Sequence, residues 1–90
     1  MYLHLGADIV VKTSNVLGIF DIEKTSISKI TKAYLSNAQK NNFVVNVTDE
    51  LPKSFVVCTE KDKTTVYISQ ISPATLSKRT NYIKNISNIN

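Results

Sequence analysis

The parts from which catalytic and metal sites are built are scarce in this chain. There is one histidine, His4, and one cysteine, Cys58, so neither a histidine cluster nor a cysteine pair for zinc can be assembled from it. Cys58 has no partner for an intramolecular disulfide. It sits in the apolar run Phe55-Val56-Val57-Cys58, where a cysteine packs as a small hydrophobe and its thiol is kept from redox chemistry. Two glycines, Gly6 and Gly18, are too few for a P-loop or a dinucleotide fingerprint. Serines and threonines are plentiful, but none lies in a nucleophile-elbow context. His4 alternates with Leu3 and Leu5, which marks it as a strand side chain at a surface or interface rather than a general base. Asp49 and Glu50 are adjacent and read as a solvated turn, because neighbouring side chains rarely converge on one point. An enzyme would have to rest on His4 or Cys58 without assisting neighbours; no catalysis, cofactor or metal is expected.

Long hydrophobic runs are also missing. No stretch approaches the roughly 20 apolar residues of a membrane span, and no basic segment followed by a long apolar run opens the chain. A cytoplasmic location and no membrane partner are therefore expected. The glycosylation patterns Asn46-Val47-Thr48 and Asn85-Ile86-Ser87 are read as coincidences.

What is present suits one small core. The 90 residues are 42% hydrophobic, and a chain of this size buries roughly 60–70% of its unfolded surface. Self-association, which buries more apolar surface, is a common supplement in domains this small. The net charge is +4, and its distribution says more than its size. Lys24, Lys29, Lys32 and Lys40 lie in a stretch without acids, as do Lys63, Lys78, Arg79 and Lys84. The acids gather as Asp21/Glu23, Asp49/Glu50 and Glu60/Asp62, with Asp8 apart. Such segregation allows a face of one sign.

Along the chain, Tyr2 to Gly6 alternates as a half-buried strand, Gly6 permits a bend, and Asp8 to Val11 reads as a second strand. Lys12-Thr13-Ser14-Asn15 is a polar turn. Val16 to Ile22 is more continuously apolar and is expected as a central strand, with Gly18 allowing a close backbone approach. A helix follows, capped by Thr25 or Ser26. Ile27, Ile30, Tyr34 and Ala38 form its inner face and Lys29, Lys32, Ser36 and Lys40 a wet one, with Asn41-Asn42 as its stop. Strands are expected over Phe43 to Val47, Ser54 to Thr59 and Thr64 to Ser69, the last two joined by a charged loop, Glu60 to Lys63. Pro52 precedes the second of these strands, where its missing N–H does least harm.

The start of the final helix is sharply marked. Ser72 is the N-cap and Pro73 takes the first helical position. Ile71 and Leu76 form a hydrophobic staple. Leu76, Thr80 and Ile83 mark the inner side. The architecture expected is α+β: a single domain over residues 1–84, with a small antiparallel or mixed sheet and two helices, and a polar tail over 85–90. Lysines at helical spacing also describe an ordinary solvated face, and the helices are too far apart for a helix-turn-helix. No aromatic–lysine interleaving of the single-strand binders is present.

Four stretches together resemble a known family: Met1-Tyr2-Leu3-His4-Leu5-Gly6, Val16-Leu17-Gly18-Ile19-Phe20-Asp21, Leu51-Pro52-Lys53-Ser54-Phe55-Val56-Val57 and Ile71 to Arg79. They look like the extracellular matrix regulatory protein B (RemB) family, itself similar to the RemA matrix regulators. The likeness covers nearly the whole chain. It implies a small cytoplasmic regulator of biofilm-matrix genes that assembles into ring-shaped homo-oligomers and binds duplex DNA through arginines on turns, without a cofactor.

The chain departs from that pattern where it matters. The turn that carries paired arginines in RemA-like proteins reads Asp49-Glu50-Leu51-Pro52-Lys53, and the earlier basic turn reads Lys12-Thr13-Ser14-Asn15. Phosphate contacts need cations or good donors. Lys12, Asn15 and Lys53 are therefore the DNA-binding candidates at these turns, with Lys78 and Arg79 behind them. The acidic turn supports a second expectation, an oligomeric scaffold that binds another protein, such as a RemA-like partner, and leaves DNA alone.

Overall fold

The computed structural model describes residues 1–34 and 43–80. A hairpin comes first, β1 (Tyr2–Gly6) and β2 (Ile9–Lys12), followed by a 3-10 turn (Thr13–Asn15) and β3 (Val16–Asp21). Then come α1 (Ile27–Tyr34), β4 (Phe43–Asn46), β5 (Ser54–Glu60) and β6 (Lys63–Ser69), and α2 over residues 73–80. β1 and β2 form their own two-stranded sheet. The other four strands form a mixed sheet in the order β3-β5-β6-β4, with β4 parallel to β6 and the remaining pairs antiparallel. This is the α+β architecture expected.

β5 is central because every residue from Ser54 to Cys58 is buried. Alternate side chains serve opposite faces. Val56 and Cys58 join Leu3, Leu5, Val11 and Leu76 in one cluster, so the hairpin and α2 cover that face. Phe55 and Val57 join Ile30 and Val66 in the other, with Ile27 and Tyr34 of α1 packed against them. Complete burial of a valine is worth about 1.5–3 kcal/mol, and Val56, Val57 and Val66 are each 0% exposed. β3 and β4 run the same way at opposite edges of the sheet, and parallel strands need a crossover. That crossover carries α1 onto the second face.

Local chemistry explains the helix starts. The Lys29 N–H donates to Ser26 Oγ at 3.3 Å, making Ser26 the cap of α1. Ile30 is buried, Ile27 and Tyr34 are half-buried, and Lys29 and Lys32 are exposed. The Tyr34 ring lies 5.7 Å from that of Phe20, tilted by 55°. At α2 the Thr75 N–H donates to Ser72 Oγ at 3.2 Å, Pro73 opens the helix, and Ile71 packs on the cluster that holds Leu76. Ser36, Ala38, Lys40, Asn41, Asn42, Ile83 and the 85–90 tail lie outside the described residues.

Four expectations are corrected. β3 is an edge strand: its apolar run arises because Ile19 packs toward the hairpin and Phe20 toward α1, while Leu17 is 53% exposed. The close approach at Gly18 is made by the Phe20 ring; a Cβ there would meet it at 2.8 Å. Lys12 is not in the turn but closes β2, paired with Tyr2. The loop after β5 is also shorter than expected. Glu60 pairs with Lys63, leaving Lys61-Asp62 as the turn, with Lys61 at φ 55°.

Two serines hold the layers together. Ser54 and Ser69 are paired across β5 and β6 and are both 0% exposed. The Ser69 hydroxyl donates to the Leu5 carbonyl at 2.6 Å and accepts from the Ile71 N–H at 3.0 Å. Ser54 donates to the Ile71 carbonyl at 2.8 Å. Ser69→Ala leaves a buried carbonyl and a part-buried N–H without these partners and is expected to cost about 1–3 kcal/mol. Ser54→Ala, which removes one bond, costs less. Urea unfolding of the two variants checks the order.

Candidate functional site

The five candidate residues fall at three places. Lys12 is exposed at the end of β2 and Asn15 half-buried in the 3-10 turn, and both line an open groove of about 710 Å³. Lys53 is also exposed but lies at the other end of β5. Its N–H donates to Ser69 and its carbonyl accepts from Ile22. The seven residues of β5 separate the two sites by about 20 Å at ~3.3 Å per residue. Lys78 and Arg79 are exposed on α2, and Arg79 Nη1 donates to the His4 carbonyl at 3.4 Å. Lys12 and Asn15 are thus brought together, while Lys53, Lys78 and Arg79 are not part of their site.

Sequence reasoning missed Lys61 and Lys63, which line the groove together with Lys12. The pairing of Val16 with Cys58 lays the tip of the β5–β6 hairpin beside the 3-10 turn. The signal was the charged hairpin itself, but its neighbour could be known only from that long-range pairing. Glu60 and Asp62 come with the lysines, so the groove carries three cations and two carboxylates.

The opposite end of the sheet is acidic. Asp8 lies in the turn after Gly6, whose Cα faces Val47, and Asp21 pairs with Ser54. Glu23 is bonded through its N–H to Asp21 Oδ1 at 2.8 Å. Asp49 and Glu50 lead into Lys53, with the Glu50 N–H on Thr48 Oγ1 at 2.9 Å and the Thr48 hydroxyl donating to Gln70 Oε1. Five acids stand there against Lys24 and Lys53. Leu51, in the same turn, is 83% exposed.

The inner wall of the groove is neutral near pH 7. Burial pushes the Cys58 thiol up to about 11. Burial, then the charges of Cys58 and Glu60, raises Tyr67 above the ordinary tyrosine value, and a hydrogen bond with Thr65 partly opposes them. Among the described residues, no group of three or more histidine, cysteine or acidic side chains could hold a metal ion, and His4 stands exposed and alone. No helix among them is long and apolar enough to cross a membrane.

Fold and groove together define a small three-layer α+β domain with three lysines gathered beside two carboxylates at one end of its sheet. The chain belongs to the RemA-like family, whose model, described as extracellular matrix regulatory protein A-like, matches residues 2–80. It is 40% identical over 83 residues to the extracellular matrix regulatory protein B of Bacillus subtilis (strain 168), an overlap of 92% of this chain and 94% of that protein. The likeness carried by the four sequence stretches is thereby established.

The Cys58 thiol predicts a pH effect. Its folded value lies near 11 against 9.0 unperturbed, so the folded state keeps a proton that the unfolded chain releases. The associated stability is complete below pH 9 and falls as pH rises toward 11. Urea midpoints across that window are expected to decline more steeply for the native chain than for Cys58→Ala.

Proposed function

We propose that this protein is a regulator of extracellular-matrix genes that acts as a ring of identical copies and binds duplex DNA through its phosphates. The observation that carries the reading is the near full-length match to a family, and to a relative, named for matrix regulation. The surface supplies compatible chemistry. Lys12, Lys53 and Lys78 are exposed, and no ion pair among the described residues neutralises them. Cations of this kind bind the DNA backbone without reading bases.

Exposed apolar residues on both sheet edges support assembly into a ring. Leu17 on β3 is 53% exposed and Val44 on β4 is 48% exposed, at opposite edges of the sheet. Contact between one copy's β3 edge and the next copy's β4 edge is heterologous, and heterologous contacts close into rings when the rotation allows.

A second reading is favoured by the Asp49–Lys53 turn. Two exposed acids and the protruding Leu51 repel a phosphate backbone and suit a protein surface. In that reading the chain is an oligomeric scaffold that binds a partner protein, a RemA-like chain being the first to try.

Light scattering of the full chain with and without a short duplex at low salt separates the two. The DNA reading expects a closed oligomer that gains mass with duplex, and an affinity falling with salt at a log–log slope of about −0.9 per phosphate neutralised. Lys12→Ala lowers that slope by about one contact. An oligomer that ignores DNA but retains a RemA-like protein supports the scaffold, and a monomer rejects the ring.

A further inference from the structure

Lys61 and Lys63 have no part in the function proposed above, yet they line the same groove as Lys12. At about 710 Å³ it falls within the ~300–1,000 Å³ typical of small-molecule sites. The three lysines come from two elements, the end of β2 and the β5–β6 hairpin. Glu60 and Asp62 interrupt them. A polyanion gains from the lysines and loses to the carboxylates. A single phosphate joined to a neutral body rich in donors gains from both, because ionised carboxylates only accept hydrogen bonds. Tyr2, 62% exposed, and Tyr67, half-buried, line the same groove and offer ring faces on which a flat heterocycle can stack.

We propose that this groove binds a nucleoside monophosphate, with its phosphate held by Lys12, Lys61 and Lys63 and its base or ribose donating to Glu60 and Asp62. Duplex DNA is the other source of phosphate these lysines can meet, and the experiment distinguishes the two.

The test is isothermal titration calorimetry of the full chain with adenosine monophosphate, inorganic phosphate and adenosine, beside a short duplex. The monophosphate is expected to bind more tightly than either of its parts. The double variant Lys61→Gln/Lys63→Gln weakens it by about tenfold or more, Lys12→Gln weakens it through a separate element, and Lys29→Gln, on the far face of the sheet, leaves it unchanged. Circular dichroism confirms that the variants fold. No binding of the monophosphate, equal binding of inorganic phosphate, or equal losses in the Lys29 variant overturns the proposal. So does a groove whose lysines serve duplex but not the monophosphate. Monophosphate binding by a protein that ignores duplex upholds the groove and counts against the DNA reading alone.

Discussion

The Ser69 hydroxyl joins three segments that have no other strong reason to meet at one point. It donates to Leu5 at the end of β1 and accepts from Ile71 at the entry to α2, while Ser69 itself lies in β6. Apolar packing alone would hold the hairpin and α2 against the sheet but would let them slide, because burial is not directional. Buried hydrogen bonds are directional and are costly to leave unmade. Ser69 and its cross-strand partner Ser54 therefore fix the register of one layer on another. That register places Tyr2 and Lys12 over the β5–β6 hairpin at the far end, and so builds the groove.

The two ends of the sheet acquire different characters from the same arrangement. From Ser54 to Cys58 β5 is buried on both faces, so the side chains there cannot carry charge, and ionisable groups are displaced to the ends of the strand, the turns and the helix surfaces. One end collects Lys12, Lys61 and Lys63 with Glu60 and Asp62. The other collects Asp8, Asp21, Glu23, Asp49 and Glu50 with Lys24 and Lys53. A modest net charge of +4 thus conceals a separation of charge along the strands, and separated charge shapes the surface potential more than the total does.

How much of this was legible in the sequence follows the range of the interactions. The start of α2 was legible because Ser72, Pro73, Ile71 and Leu76 lie within one helical turn and act on each other. The strands and the α+β class followed from alternation and apolar runs. The position of β3 was not legible: an apolar run reports that two faces are covered, but not how many strands flank it. Leu17 at 53% exposure shows the difference. Ser54 and Ser69 looked like strand ends, since a serine's partner 64 residues away leaves no local trace. The groove was hidden for the same reason. Lys12 and Asn15 could be singled out, but Lys61 and Lys63 join them only through the pairing of Val16 with Cys58.

Charge separation also ranks the candidate cations in a way their turns alone do not. Lys53 occupies the turn where the RemA likeness implies paired arginines, yet it shares that end of the molecule with five acids. A phosphate approaching Lys53 meets a repulsive background, whereas the surroundings of Lys12 hold three lysines against two carboxylates, Glu60 and Asp62. If copies repeat around a ring with their strands in a common orientation, every copy contributes the same polarity, and one face becomes more cationic as the other becomes more acidic. On the DNA reading proposed above, the phosphate-facing side of such a ring is the Lys12 side. On the scaffold reading, the protein-facing side is the acidic one, with Leu51 exposed at its tip. The two proposals therefore call on opposite ends of the sheet rather than compete for one surface.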